Sequence, residues 1–173
     1  MIYKKDVKLS DYMIDEKQIR DWLVSEGLFK EQIHDDETAN FHFIINYPEN
    51  HVLDIIQPKH KSDMLLIGCA SEIAPEQVAV IRSSSEKKKE NFIWDVRFTL
   101  NQFLLDFELE HPDNVLQRFI ITEELYADGI TKHSLIMAIK KVFKGKLQCI
   151  WIAGKSFGET SDGSLKNDNS MFV

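Results

Sequence analysis

Apolar residues between positions 86 and 110 recur at about 100° per residue in two separate sets, which predicts one long helix with two apolar stripes. Ile93, Val96, Leu100, Leu104 and Phe107 define one face, with Phe92 and Phe103 at its margin. Trp94, Phe98, Leu105 and Leu109 fall on nearly the opposite side, with Arg97 and Asn101 down one seam and Asp95, Thr99, Gln102 and Asp106 down the other. A helix at the surface of a domain needs one stripe. A second stripe places it between layers, with its own sheet on one side and, on the other, a second copy of the chain, a client polypeptide, or the first or last helix of the same chain. Aromatic residues anchor interfaces, so Trp94, Phe98, Leu105 and Leu109 are the expected partner or dimer interface.

The remaining pattern predicts a mixed domain. Asp15 as N-cap, Gln18 three residues later and Gly27 beyond the end frame a first helix whose apolar face is Ile19, Trp22 and Leu23. After an acidic loop at 34–38, Phe41, Phe43 and Ile45 alternate with His42 and Asn46 as in a half-buried strand. Tyr47-Pro48-Glu49-Asn50 supplies turn chemistry before a second strand at 52–57, and the apolar run 64–69 is a third, more buried strand. Pro75 opens a short helix at 75–82, and Ser83 to Ser85 recap the chain into the long helix. His111-Pro112-Asp113-Asn114 ends that helix, a fourth strand occupies 115–122, and Thr131 caps a helix with Leu135, Ala138, Ile139 and Val142 on its apolar face. Beyond Phe143 two readings stay open. Lys144-Gly145-Lys146 reads as a helix end, followed by a strand at 147–153, which propensity favours; alternatively the helix runs on to about Ile152, with Lys146 badly placed on its apolar face. The fold class expected is α+β in the order α-β-β-β-α-β-α, a small antiparallel sheet packed against a long central helix. Residues 1–14 are expected as an N-terminal extension, 15–153 as a single domain and 154–173 as a disordered polar tail.

Charge and composition narrow the function classes. The chain has 173 residues, 43% hydrophobic and 28% charged, enough to build one ordinary globular core. A net charge of -7 argues against nucleic acid, and the basic run 87–89, flanked by Glu86 and Glu90, reads as a solvated helix end. Neither a signal-peptide run nor an apolar stretch of membrane-spanning length is legible, so a cytoplasmic protein with no membrane partner is expected. Cys69 and Cys149, each in an apolar run and outside any paired-cysteine motif, are expected as buried free thiols.

The order of elements resembles the type III secretion chaperone-like fold, including the relatives often called sensory transduction regulators. More narrowly, Ile19-Arg20-Asp21-Trp22-Leu23, residues 91–104 and Ala127-Asp128-Gly129-Ile130-Thr131 are similar to an uncharacterised prokaryotic family assigned to that fold. The resemblance implies that the central helix helps form a homodimer and that apolar grooves hold an extended segment of a client protein. The chain shows no secretion partner, and client binding does not transfer with a fold.

Candidate chemistry is sparse. His42, His51, Asp54 and His60 are the nearest approach to a metal cluster. In the simplest hairpin register, with Asn46 opposite His51, His42 faces Ile55 and Asp54 faces Phe43, which puts His42 and Asp54 on opposite faces of the sheet. The converging ligands that zinc needs are then not assembled. Gly154-Lys155-Ser156 echoes the end of a phosphate-binding loop, but Cys149 stands where the first glycine belongs and no helix is predicted to follow. Glu123, Glu124 and Asp128, and the acidic residues 35–37, lie in polar stretches where hydration keeps carboxylates ionised and unsuited to general-acid work. His133 and Ser134 begin a helix without an identifiable partner for nucleophilic catalysis. The expectation is therefore a non-enzymatic protein-binding or chaperone-like adaptor, a homodimer without cofactor or metal. A small-ligand sensor with a pocket between the sheet and the last helix is the alternative.

Overall fold

A computed structural model describes residues 14–158 and 168–169. The expected N-terminal extension and most of the expected tail lie outside the described residues. The first helix, α1 (Glu16–Ser25), starts where Asp15 accepts hydrogen bonds from the backbone N–H of Lys17 and Gln18 and stops before Gly27, whose φ of +69° suits glycine. Ile19 and Leu23 are its buried residues. A short strand that the pattern did not signal, β1 (Phe29–Ile33), follows. Then comes the expected meander: β2 (Ala39–Asn46), β3 (Val52–Pro58) and β4 (Met64–Glu72). Helices α2 (Pro75–Ser83) and α3 (Glu86–Gln102) lead into β5 (Asp106–Glu110) and β6 (Arg118–Tyr126). The longest element, α4 (Lys132–Phe157), is opened by a Thr131–Ser134 capping box.

The strands form one antiparallel sheet in the order β1-β2-β3-β4-β6-β5, and a two-residue strand, β7 (Asp168–Asn169), pairs with β4. The fold is α+β, and the expected elements keep their order, with β1 and β5 added. Alternate strand residues (Phe41, Phe43, Ile45; Leu53, Ile55; Leu65, Ile67, Cys69; Phe119, Ile121) share one core with Ile19, Leu23, Ile93, Val96, Leu100, Leu135, Ile139 and Val142. On the opposite face, Ala39, Ile56 and Ala70 form a smaller buried cluster with Leu66 and Ile120 against it.

Three departures from the pattern have identifiable physical causes. The long helix ends at Gln102 and not at 110, because Leu104 takes a left-handed conformation (φ +53°). Leu104 N–H bonds Asn101 C=O (3.0 Å) and Leu105 N–H bonds Leu100 C=O (3.2 Å), the paired bonds of a Schellman stop. Leucine at the position that usually holds glycine hid this end. Leu104, assigned to the core stripe, is 80% exposed, while Leu105, Phe107 and Leu109 follow the period of two that belongs to a strand.

The hairpin register is shifted by one residue. Tyr47 N–H bonds His51 C=O (2.8 Å), closing a three-residue loop with Glu49 at φ +53°, so Asn46 pairs with Val52 and His42 with Ile56. A slip of one exchanges the faces of every side chain on β3 relative to β2.

The third departure concerns the open segment at 147–153, which is helix. Gly145 does not end α4: a Cβ there would sit 2.5 Å from Leu105 Cδ1, so the residue lets the helix approach the core closely. Residues 154–157, expected in the disordered tail, form the last turn of α4, with Phe157 edge-on to Phe92 (centroids 5.0 Å apart). Lys89, in the run read as a solvated helix end, is buried and pairs with Glu86 at 2.5 Å.

Candidate functional site

Of the four residues expected to form an interface, α3 carries two. Trp94 and Phe98, one turn apart, are 46% and 59% exposed, and their rings stack at 5.6 Å with an interplanar angle of 30°. The Arg97 guanidinium lies 5.0 Å above the Trp94 ring and bonds His111 Nε2 at 3.0 Å, which fixes it over the aromatic face. Together with Asn91 and Asp95 the two rings line a shallow open depression. The other two expected residues are elsewhere. Leu105 is 4% exposed, beneath Gly145, and Leu109 projects from β5 against the main core. The four-residue stripe on one helix is thus corrected to an aromatic pair on α3 and two core residues, because the chain turns at Leu104.

The shifted hairpin register assembles a group that the expected register separated. His42 stands with Asp36 Oδ2 3.0 Å from its Nδ1 and Asp54 Oδ1 2.7 Å from its Nε2. Asp54 projects from β3 on the same face as His42, and Asp36 reaches in from the β1–β2 loop. Burial works against the Asp36 charge, but the Thr38 hydroxyl and N–H, with His42, outweigh it and hold the carboxyl below its ordinary value. His42 and Asp54 are 1% and 0% exposed, so neither is open to a substrate, and Asp36 is nearly covered. The two carboxylates sit at opposite nitrogens of the ring and do not converge. Among the described residues no group of three His, Cys, Asp or Glu side chains could hold a metal ion. The array ties the loop, β2 and β3 together through charge-assisted contacts.

Most of the remaining candidates are engaged in structural contacts. His51 packs 5.2 Å from the Phe143 ring and His60 is exposed on a turn, so neither joins His42. Glu123 pairs with Lys141 at 2.7 Å; Glu124, on the other face of β6, accepts from the Tyr126 hydroxyl at 2.7 Å. Lys141 also bonds Leu104 C=O (2.9 Å), which pins the turn after α3 to α4. Ser134 donates to Gly129 C=O at 2.7 Å as part of the helix cap. Gly154-Lys155-Ser156 lies at the C-terminal end of α4, where the dipole repels anions. Cys69 and Cys149 are buried thiols outside any disulfide, and burial, with Cys69 beside it, pushes the Cys149 thiol well above its usual value. No helix among the described residues is long and apolar enough to cross a membrane.

Sequence reasoning missed the Asp36–His42–Asp54 array and the end of α3. The alternation Leu105-Phe107-Leu109 with acidic residues between was a legible sign of β5.

Comparison with known proteins agrees with the fold resemblance. No curated protein matches the chain. Among solved structures, an uncharacterized protein from Methanothermobacter thermautotrophicus shares 48% identity, with a TM-score of 0.81, over 84% of this chain and 100% of that one. YbjN from E. coli shares 13% identity with a TM-score of 0.51, over 82% of this chain and 93% of its own, a likeness of fold. The structure of the HopA1-SchA chaperone-effector complex matches at 13% identity and a TM-score of 0.46, over 89% of this chain and 99% of that one. Residues 15–153 carry the pattern of one family, and the chain belongs to it: the uncharacterized conserved proteins of DUF2299.

Proposed function

We propose that this chain is a non-enzymatic, chaperone-like adaptor that binds another protein and acts as a homodimer joined through the outer face of α3. The observation that carries this reading is the stacked, exposed Trp94–Phe98 pair on a helix whose opposite face is already in the core. Each ring is about half exposed, so the burial it forfeits is worth roughly 1 kcal/mol, about half the gain of burying a whole side chain. The face is also self-complementary. Two copies of α3 crossing antiparallel at the level of Val96 would set Trp94 against Phe98 of the second copy and Phe98 against Trp94, the reciprocal pattern that a two-fold interface requires. The non-enzymatic part is supported by the candidate groups: Asp36, His42 and Asp54 form a buried tie, Glu123 an ion pair with Lys141, and Ser134 a helix cap.

Light scattering at several concentrations tests the reading. The wild-type chain is expected at twice its 20.1 kDa mass, and Trp94→Ser/Phe98→Ser at the single mass with unchanged circular dichroism. A wild-type monomer, or a double variant that keeps the larger mass, refutes the interface.

A further inference from the structure

The charges of this chain are divided unevenly over its elements. α4 carries six of the 21 basic residues and none of the 28 acidic ones, although the chain as a whole is acidic. Part of this charge is used within the fold: Lys132 pairs with Glu26, Lys141 pairs with Glu123, and Lys146 is buried. Lys140, Lys144 and Lys155 are exposed, and among the described residues no carboxylate pairs with them. Lys155 lies in the last turn, where the helix dipole favours a cation. Lys140 and Lys144 have no such reason, since they sit in mid-helix four residues apart, a spacing at which like charges weaken a helix.

Two apolar side chains share the face. Met137 is 49% exposed and Trp151 57%. Met137, Lys140, Lys144, Trp151 and Lys155 follow one another at three, four, seven and four residues, the spacing of a single helical row, over about 27 Å. The opposite side of α4 holds Leu135, Ala138, Ile139, Val142 and Cys149 in the core, so the row points outward.

We propose that the outer face of α4 is a docking surface for an acidic amphipathic helix of a partner protein, with Trp151 making its apolar contact and Lys140, Lys144 and Lys155 meeting its carboxylates. Charge complementarity selects an acidic partner. Its helical form follows from what the face offers. The backbone of α4 is bonded within the helix, so an extended chain would find no main-chain partner there and would leave its own N–H and C=O groups unmet. A helix arrives with its backbone satisfied and repeats its side chains at the same spacing of four and seven. A lipid surface fits less well, because three unpaired lysines fall short of the roughly four to eight clustered cations that hold anionic headgroups. The net charge of -7 opposes lipid and nucleic acid alike. That the partner is a protein rests on the adaptor reading above; the cationic face does not depend on the α3 interface.

The test titrates the full chain into a fluorescein-labelled helical peptide of about 20 residues, long enough to span the row, with one leucine stripe flanked by glutamates on an alanine background. Fluorescence anisotropy should show binding at low salt that weakens about tenfold when salt rises from roughly 0.05 to 0.3 M. The same peptide with glutamine for every glutamate should bind at least about tenfold more weakly. Lys140→Gln/Lys144→Gln/Lys155→Gln should lose about tenfold, and Trp151→Ser about fivefold, each with unchanged circular dichroism. Lys17→Gln/Lys30→Gln/Lys87→Gln removes the same charge from other exposed positions and should change binding by less than about twofold. Mass by light scattering is read on the same samples, so failure here and failure of the α3 interface are told apart. A wild-type chain that ignores the glutamate peptide, or equal losses in the two triple variants, overturns the proposal. So does lysine-dependent binding of vesicles of phosphatidylserine and phosphatidylcholine, or of a single-stranded oligonucleotide, in place of the peptide.

Discussion

Gly145→Ala should destabilise the protein although it places a better helix former inside a helix. By propensity alone the substitution gains about 1 kcal/mol, since Gly145 lies in the interior of a 26-residue helix. The structure opposes this. The new methyl carbon would stand 2.5 Å from Leu105 Cδ1, 3.4 Å from Leu100 Cδ2 and 3.6 Å from Ile121 Cγ2. The last two are ordinary contacts, whereas the first requires a shift of about 0.9 Å to reach normal separation. Leu105 is 4% exposed with core beyond it, so the leucine cannot swing into solvent. Overpacking of this kind costs about 1–3 kcal/mol, and the expected net change is a loss of about 1 kcal/mol after the propensity gain. Urea denaturation at constant m should show the midpoint falling by roughly 0.5 M. The informative comparison is the same change in a Leu105→Ala background. There the clash is gone, the methyl fills part of a cavity, and Gly145→Ala should stabilise by about 1 kcal/mol, a coupling of roughly 2 kcal/mol between the two positions. A midpoint that rises in the wild-type background would refute the close-approach account of Gly145.

Asp36→Ala removes the acceptor for the Thr38 N–H (2.9 Å), the Thr38 hydroxyl (2.6 Å) and His42 Nδ1 (3.0 Å), and should cost roughly 1–3 kcal/mol at neutral pH. The folded-state pKa of Asp36 lies below its ordinary value of 3.8. Its contribution is therefore complete above that value and lost as pH falls through the folded pKa, so the wild-type and Asp36→Ala stability curves should converge below about pH 3.8 and remain apart at pH 6. Equal curves at both pH values would remove the array from the stability of the β1–β2 loop. Cys69 and Cys149 are buried, and burial suppresses the Cys149 thiolate. Labelling by a thiol reagent should follow the unfolding rate, with both sites reacting together once urea passes the midpoint. Rapid labelling of either thiol in native buffer contradicts that placement. Trp94→Ser/Phe98→Ser, which alters half-exposed side chains, should leave the unfolding free energy of the protomer within about 0.5 kcal/mol of wild type while changing the mass.

Most of the architecture is written locally. The Asp15 cap and the Ile19–Leu23 spacing define α1; the alternation Phe41-Phe43-Ile45 and the apolar run from Met64 define central strands; and Thr131 with Ser134 starts α4. These signals are legible because each rests on residues within one or two turns of one another. The aromatic pair on α3 was legible for the same reason, since Trp94 and Phe98 are one turn apart.

What the sequence alone did not determine depends on contacts between distant residues. The end of α3 has no glycine to announce it. A leucine accepts φ +53° at residue 104 because Leu105 then enters the core and Lys141, 37 positions later, holds the Leu104 carbonyl. Gly145 resembles a stop in one dimension and is a close-packing site in three, for a reason that lies on the segment after α3. The register of β2 on β3 turned on one loop residue, and that residue decided whether His42 and Asp54 lie on opposite faces or 2.7 Å apart. Periodicity identifies which faces are apolar, but parity between strands and the stopping point of a helix are set by the packing that surrounds them.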